Sequence, residues 1–292
     1  MNQTAKVLIE ALPFIQRFYN RRIVIKYGGA AMEDESLIHS VMEDIVLMKY
    51  VGMRPIVVHG GGPKISAWMD KVGKEPEFVQ GLRVTDAETV EIAEMVLAGT
   101  INKGIVLRIN QHGGQAIGLC GKDANLIVAE KHTPTKMDEN GNETTIDIGY
   151  VGKIIGVNTQ PIITLDEAGY IPVIAPNGTG VDGQTYNINA DTMAGEIASA
   201  LQAEKLILLT DTRGICEDAE DISTLISTIR MNKINALIDE GIIIGGMIPK
   251  IEACATALLG GVSKTHVIDG RIPHSLLLEV LTEGGIGTEI IR

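Results

Sequence analysis

Apolar residues recur at two spacings along the chain, and the switches between them mark out alternating elements. Arg22 to Tyr27 holds the β-branched run Ile23, Val24 and Ile25, flanked by glycine and predicting a short buried strand. Similar runs predict strands over 55–59, 116–120, 125–130, 146–157, 170–175, 205–210, 265–269 and 287–291. Spacings of three and four predict helices over 36–50, 64–72, 87–108, 159–168, 191–203, 231–240, 249–259 and 274–281. Strands alternating with helices imply an α/β fold with a largely parallel sheet covered on both faces.

Three stretches fall outside that alternation. Residues 5–19 carry Val7, Leu8, Leu12, Ile15 and Phe18 on one helical face, and Pro13 inside it should kink the helix. This face needs a partner, either its own lobe or another subunit. Polar residues 133–145 read as the exposed loop of a hairpin. Residues 177–183 read as a turn-rich hinge and mark a lobe boundary near 180.

Composition narrows the field. At 292 residues, 45% hydrophobic and 21% charged, the chain suits one large domain or two lobes with a substantial core. No apolar run approaches the ~20 residues of a membrane span, and the N-terminus lacks a signal-peptide core. The net charge of -12 argues against a nucleic-acid or anionic-membrane surface. An anionic substrate must then be met by a few local cations. Cys120, Cys216 and Cys254 are scattered without a CxxC pair, which suits a reducing cytoplasm and gives no metal site.

The chemistry starts at Lys26-Tyr27-Gly28-Gly29. A lysine ending a buried strand needs an anionic partner, and the glycines after it leave backbone amides open to an incoming group. A polyphosphate fits both, although a solvated lysine at a turn fits the tetrapeptide alone. Gly60-Gly61-Gly62 repeats the strand, glycine turn and helix arrangement. Competing motifs fail on context. Gly178 to Gly183 matches GxGxxG, but an extended segment follows it, so a hairpin turn is the better reading. Gly121-Lys122 precedes Asp123, where a P-loop needs Ser or Thr. His59 and three glycines resemble an esterase loop, yet no GxSxG exists. Six histidines show no paired spacing for a zinc enzyme.

Five motifs in order resemble the amino acid kinase family, and in it the N-acetylglutamate kinases. They are Lys26-Tyr-Gly-Gly, His59-Gly-Gly-Gly-Pro, Gly81-Leu-Arg83-Val-Thr, Asn187-Ile-Asn-Ala-Asp191 and Gly246-Met-Ile-Pro-Lys250. The resemblance implies a three-layer αβα sandwich with the acceptor in lobe 21–180 and ATP in lobe 181–292. It implies ATP-dependent phosphorylation of the side-chain carboxylate of N-acetyl-L-glutamate in arginine biosynthesis. Lys26 would bridge the transferred phosphoryl and the oxygen toward ADP, and Lys250 would neutralise the leaving β-phosphate. Asp191 would orient both lysines, although its position also suits a helix N-cap. Gly28, Gly29 and Gly61 would offer amides to the transferring group. Gly61 and Gly62 would let the acceptor lie against backbone. Arg83 would pair bidentately with its α-carboxylate, unless it forms a surface ion pair. Asn187 would read the acetamido group, and Lys250 could otherwise be a solvated helix residue.

Thr210-Asp211-Thr212-Arg213-Gly214 turns at a strand end, and relatives place this loop on the nucleotide, which assigns Thr210, Asp211, Thr212 and Gly214 to ATP. Magnesium would be held by the phosphates and water, with no protein ligand. Helix 1–20 and the run 274–290 resemble the arginine-inhibited subgroup, which builds hexamers as trimers of dimers. For L-arginine the candidates are Lys205, Glu283 and Gly285, with Tyr19 closing from the helix. A PII-type signalling protein binds this family in some phototrophs. Two rivals stay open: a kinase for another N-acylated carboxylate such as a 2-aminoadipate, and a non-catalytic arginine sensor.

Overall fold

The computed structural model describes residues 3–137 and 143–292. Arg22–Tyr27 lies inside an eight-stranded sheet, paired in parallel with Arg54–His59 on one side and Lys205–Thr210 on the other. The order across the sheet is Thr228–Arg230, Thr288–Ile291, Lys264–Asp269, Lys205–Thr210, Arg22–Tyr27, Arg54–His59, Ile171–Ala175 and Ala116–Cys120. Lys264–Asp269 and Thr288–Ile291 pair antiparallel, whereas the other neighbours are parallel. Strands covered on both faces need no polar alternation, and Ile23, Val24 and Ile25 are all fully buried.

Successive side chains still point to opposite faces, so one strand feeds two cores. Ile23, Ile25 and Tyr27 join Val41, Met42 and Ile45 of helix Glu35–Tyr50 and Ile105 and Ile109 of helix Asn102–Gln111. Val24 joins Met193 and Ile197 of helix Ala190–Ala200 and Ala257 of helix Ile248–Leu259 on the other face. The result is the expected αβα sandwich. A four-stranded sheet, ordered Thr185–Asn187, Asn177–Thr179, Ile127–Lys131 and Gly152–Val157, sits beside it.

Several expectations change. Residues 87–108 form no single α-helix: a π-helix, Met95–Ile101, separates Ala87–Glu94 from Asn102–Gln111. The strand expected over 146–157 begins only at Gly152, because Asp147 Oδ1 accepts from the Gly149 N–H and turns the chain. The strand expected from 125 begins at Ile127, since Ala124 and Asn125 take positive φ. Asn177–Thr179 is a strand of the second sheet, not a hinge, and pairs with Thr185–Asn187 as a hairpin. The GxGxxG stretch is therefore a hairpin turn. Residues 231–233 are 3-10 rather than α-helical. Helix Gln3–Phe18 continues through Pro13. The flanking strands Ile127–Lys131 and Gly152–Val157 pair antiparallel as the expected hairpin. Its loop is not irregular throughout: Thr135–Met137 pairs with Glu143–Thr145, and the residues between those two lie outside those described. Among the described residues no helix is long and apolar enough to cross a membrane.

Candidate active site

Period-two alternation puts Lys26 on the same face as Val24, toward helix Ala190–Ala200. Asn189 caps that helix, its side chain accepting from the Asp191 and Thr192 N–H groups. Asp191 is thereby released from the capping role that its sequence position also suited. Its Oδ1 stands 3.1 Å from Lys26 Nζ, and its Oδ2 accepts from Lys250 Nζ at 2.8 Å. Burial pushes the Asp191 carboxyl up, but the charges of Lys26 and Lys250 outweigh it and hold the group below its ordinary value. Lys250 stands in the first turn of helix Ile248–Leu259. Two cations from different elements thus share one buried carboxylate.

Both glycine turns stand beside this pair. Gly29 takes φ +68°, which a side chain rarely adopts, and a Cβ there would meet Asp211 Oδ1 at 2.3 Å. Asp211 accepts from the Ala30 N–H at 2.6 Å and fastens the first turn from the neighbouring strand end. His59 is fully buried, and loss of solvent lowers it to about 4, although its bond to Gly60 works the other way. Its ring is therefore neutral at ordinary pH. Nδ1 donates to the Gly60 carbonyl at 2.9 Å, and Nε2 faces Asn102 Nδ2 at 3.3 Å. Leu97 and Ile101 of the π-helix press on Gly61, where a Cβ would stand 2.8 and 2.4 Å from them.

A cavity of about 230 Å³ opens beneath these turns, lined by Lys26, Gly28, Gly29, Gly61, Gly62, Arg83, Asn187 and Asp191. Arg83 is 7% exposed. Its Nη2 donates to the Gly62 carbonyl at 2.9 Å and to Ser66 Oγ at 2.8 Å, and its guanidinium lies 4.7 Å from the Phe78 ring. Among the described residues no carboxylate lies within 4.0 Å of it, and burial alone lowers its pKa. A buried cation without an acidic partner favours an anionic ligand. It is not a surface ion pair. Asn187 Nδ2 donates to Thr85 Oγ1 at 3.4 Å. Ser66 and Phe78, which orient the guanidinium, carried no motif and were not predicted.

On the other side of Lys250 a cleft of about 800 Å³ is lined by Thr210, Asp211, Thr212 and Gly214. Ile222, Ile242, Ile244 and Met247 give it an apolar wall, and Arg213 and Arg271 add two cations to Lys250. Arg271 was not foreseen; it forks onto Asp269 at 2.9 Å through Nε and Nη2. A third opening of about 1020 Å³ holds both Asp191 and Lys250 in its lining. Asp191 therefore lines both the Arg83 cavity and this third opening, and Lys250 lines the third opening and the apolar-walled cleft.

Residues 21–269 match the amino acid kinase family. The chain belongs to that family. It is 55% identical over 285 residues to the acetylglutamate kinase of Moorella thermoacetica, spanning 98% of this chain and 96% of the relative. With the acetylglutamate kinase of Pelotomaculum thermopropionicum it shares 57% over 288 residues, 99% and 98% of the two chains. An N-acetylglutamate synthase from Neisseria gonorrhoeae, solved with coenzyme A and N-acetyl-glutamate, superposes with a TM-score of 0.84 at 26% identity. All of this chain is covered, but only 64% of the synthase. The same synthase with coenzyme A and L-arginine gives 0.81 at 25% identity, covering 99% of this chain and 66% of that one. As a member of the amino acid kinase family, the enzyme is a phosphotransferase, and its transferable group comes from ATP.

The kinase has another polar pocket, of about 240 Å³, between the N-terminal helix and the far end of the sheet. Lys205, Glu283 and Gly285 line it with Phe14, Arg17 and Phe18. Tyr19 does not. Its ring packs where a Cβ on Gly52 would stand, 2.3 Å away, and it is 65% exposed. Glu279 and Glu289, which no sequence motif marked as site residues, line the pocket beside Glu283. Lys205 Nζ stands 2.8 Å from His266 Nε2, and His266 Nδ1 stands 2.6 Å from Glu279 Oε1. Burial lowers Lys205 to about 8, against the opposing pull of Glu279.

Proposed function

We propose that the enzyme transfers the γ-phosphoryl of ATP to the side-chain carboxylate of N-acetyl-L-glutamate. The observation that carries this reading is the Lys26–Asp191–Lys250 bridge between the Arg83 cavity and the apolar-walled cleft. The acceptor's α-carboxylate pairs with Arg83, its acetamido group meets Asn187, and its distal carboxylate points at Lys26. ATP occupies the cleft lined by Thr210, Asp211, Thr212 and Gly214, with magnesium entering on its phosphates as part of the substrate. A carboxylate oxygen attacks the γ-phosphorus while the bond to the bridging oxygen breaks and ADP leaves. No proton is removed from an ionised acceptor, so the site needs cations and amides but no general base. Lys26 and the Gly28, Gly29 and Gly61 amides stabilise the transferring oxygens, and Lys250 takes the charge growing on ADP. In this reading residues 21–180 carry the acceptor and residues 181–292 the nucleotide.

The pocket around Lys205 and Glu279 supports inhibition by L-arginine. A guanidinium requires a carboxylate and an amino-acid carboxylate requires a cation, and both are present there. The exposed Val7, Leu8 and Ile9 of the N-terminal helix support its use as a contact between subunits, in a hexamer built from dimers. Contact with a PII-type protein belongs to the same reading. A 2-aminoadipate derivative differs by one methylene, which discriminates by only ~1–3 kcal/mol. A pure arginine sensor has no use for the buried two-lysine bridge.

The deciding assay follows ADP release with magnesium-ATP and N-acetyl-L-glutamate, with and without millimolar L-arginine. Turnover suppressed by arginine supports both readings. Turnover without suppression removes the inhibitor, and no turnover removes the proposed acceptor.

A further inference from the structure

On the sheet face opposite helix Ala190–Ala200, the fold joins two histidines that lie 73 residues apart. His39 and Glu43 share one face of helix Glu35–Tyr50 at i and i+4, and His112 caps the C-terminus of helix Asn102–Gln111. One ligand atom from each of the three lies within 4.8 Å of the others. The spacing in sequence hid this set, because the third member arrives through helix packing.

The hydrogen bonds around the rings leave an electron-pair conflict. His112 Nδ1 stands 2.7 Å from the Arg108 carbonyl, which can only accept, so Nδ1 carries the proton and Nε2 a lone pair. His39 Nε2 faces the Glu43 carboxylate at 3.2 Å, which also accepts. That leaves His39 Nδ1 with a lone pair, 2.7 Å from His112 Nε2. Two lone pairs at that distance repel unless a cation stands with them.

We propose that His39, Glu43 and His112 form a binding site for a borderline divalent metal ion of the zinc class. Two imidazoles and a carboxylate are the donor set this class prefers. The Arg108 carbonyl fixes the His112 tautomer and aims Nε2 outward, as outer hydrogen bonds do for metal-ligating histidines. Zinc bonds of ~2.0–2.1 Å in a tetrahedron separate two nitrogens by more than 2.7 Å. The rings must open slightly, and the half-exposed His39 and Glu43 side chains have room to do so. Glu35 and Arg108 already join the same two helices, through two contacts of 2.7 Å. The metal adds a second tie beside them.

The test is calorimetric titration of the tag-free full chain with Zn²⁺ alone, repeated on His39→Gln, His112→Gln and Glu43→Gln. Expected is one saturable site per chain, weakened by more than ~10-fold in each histidine variant and less in Glu43→Gln. Circular dichroism should show all three variants folded, and kinase turnover without zinc should be unchanged. Nitrogen-15 spectra of the imidazoles give an independent readout. Zinc should shift His39 and His112 together. No saturable binding, or binding unchanged in both histidine variants, overturns the site. Imidazole signals that ignore zinc and report a proton held between the rings overturn it too, and make that proton the missing cation.

Discussion

Gly195 and Ala253 meet backbone to backbone: a Cβ on Gly195 would stand 2.6 Å from the Ala253 carbonyl oxygen and 3.0 Å from its Cα. Asp191 lies one turn before Gly195 on its helix, and Lys250 lies three residues before Ala253 on the other. The close approach therefore sets the distance between the carboxylate and its second lysine. Gly195→Ala forces rigid backbone apart and should cost about 1–3 kcal/mol of stability. Since a ~1 Å misplacement can cost ~10²-fold in rate, kcat should fall while the acetylglutamate KM moves little. Denaturant unfolding and steady-state kinetics check both. An equally stable, fully active variant would show that the helix spacing does not position Lys250.

Removing either cation tests the bridge itself. Lys26→Ala and Lys250→Ala should each lower kcat by roughly 10²–10³ with the fold intact by circular dichroism. Asp191→Asn leaves two lysines facing each other without a counter-charge, so it should lower kcat as well. Unchanged turnover in both lysine variants would remove them from the chemistry.

The acceptor assignment rests on Arg83. Arg83→Lys keeps the charge but loses the planar fork and the Ser66 and Gly62 bonds that aim it. The acetylglutamate KM should rise about tenfold, the equivalent of ~1.4 kcal/mol, with a smaller change in kcat. An unaltered KM would place the α-carboxylate elsewhere.

Glu279→Gln probes the pocket around Lys205, proposed to hold arginine, without touching Lys26, Asp191 or Lys250. If arginine binds beside Glu279, its half-inhibiting concentration should rise by ~5–150-fold while uninhibited turnover stays constant. Inhibition of the variant at wild-type arginine concentrations would move the guanidinium contact to Glu283 or Glu289.

Asp44 gives a pH prediction with a defined sign. It is fully buried in helix Glu35–Tyr50 and stands 2.7 Å from His274 Nδ1. Burial raises its carboxyl to about 6, although the His274 bond opposes the rise. Between the unfolded value near ~3.9 and about 6, the folded chain holds a proton that the unfolded chain has released. This contribution to stability is complete below the unfolded pKa and is lost as pH rises through about 6. Asp44→Asn removes the titration. The stability of wild type relative to Asp44→Asn, by urea unfolding, should therefore fall from pH 4 to pH 7. A difference that stays flat would mean that Asp44 titrates normally.

Local chemistry determined most of the elements. The run Ile23 to Ile25, glycine turns after strands, and helical spacing are short-range signals, and the α/β alternation followed from them. Lys26 stood out because a lysine ending a buried strand needs an anionic partner, whereas Asp191 and Lys250 stood out only through the resemblance of their motifs. Three-dimensional packing decided what no window of sequence contains. The π-helix Met95–Ile101 breaks one long helical pattern, and the turn at Asp147 to Gly149 shortens a strand that its apolar pattern extended. Asn189 took the helix cap and released Asp191 to the lysines. Tyr19, near Lys205 in expectation, packs on Gly52, while Glu279 lines the pocket and contacts His266. Ser66, Phe78, Arg271 and the His39–His112 pair have ordinary neighbours in sequence. Pairings between distant residues depend on how sheets and helices stack, and that stacking is settled only when the whole chain is compact.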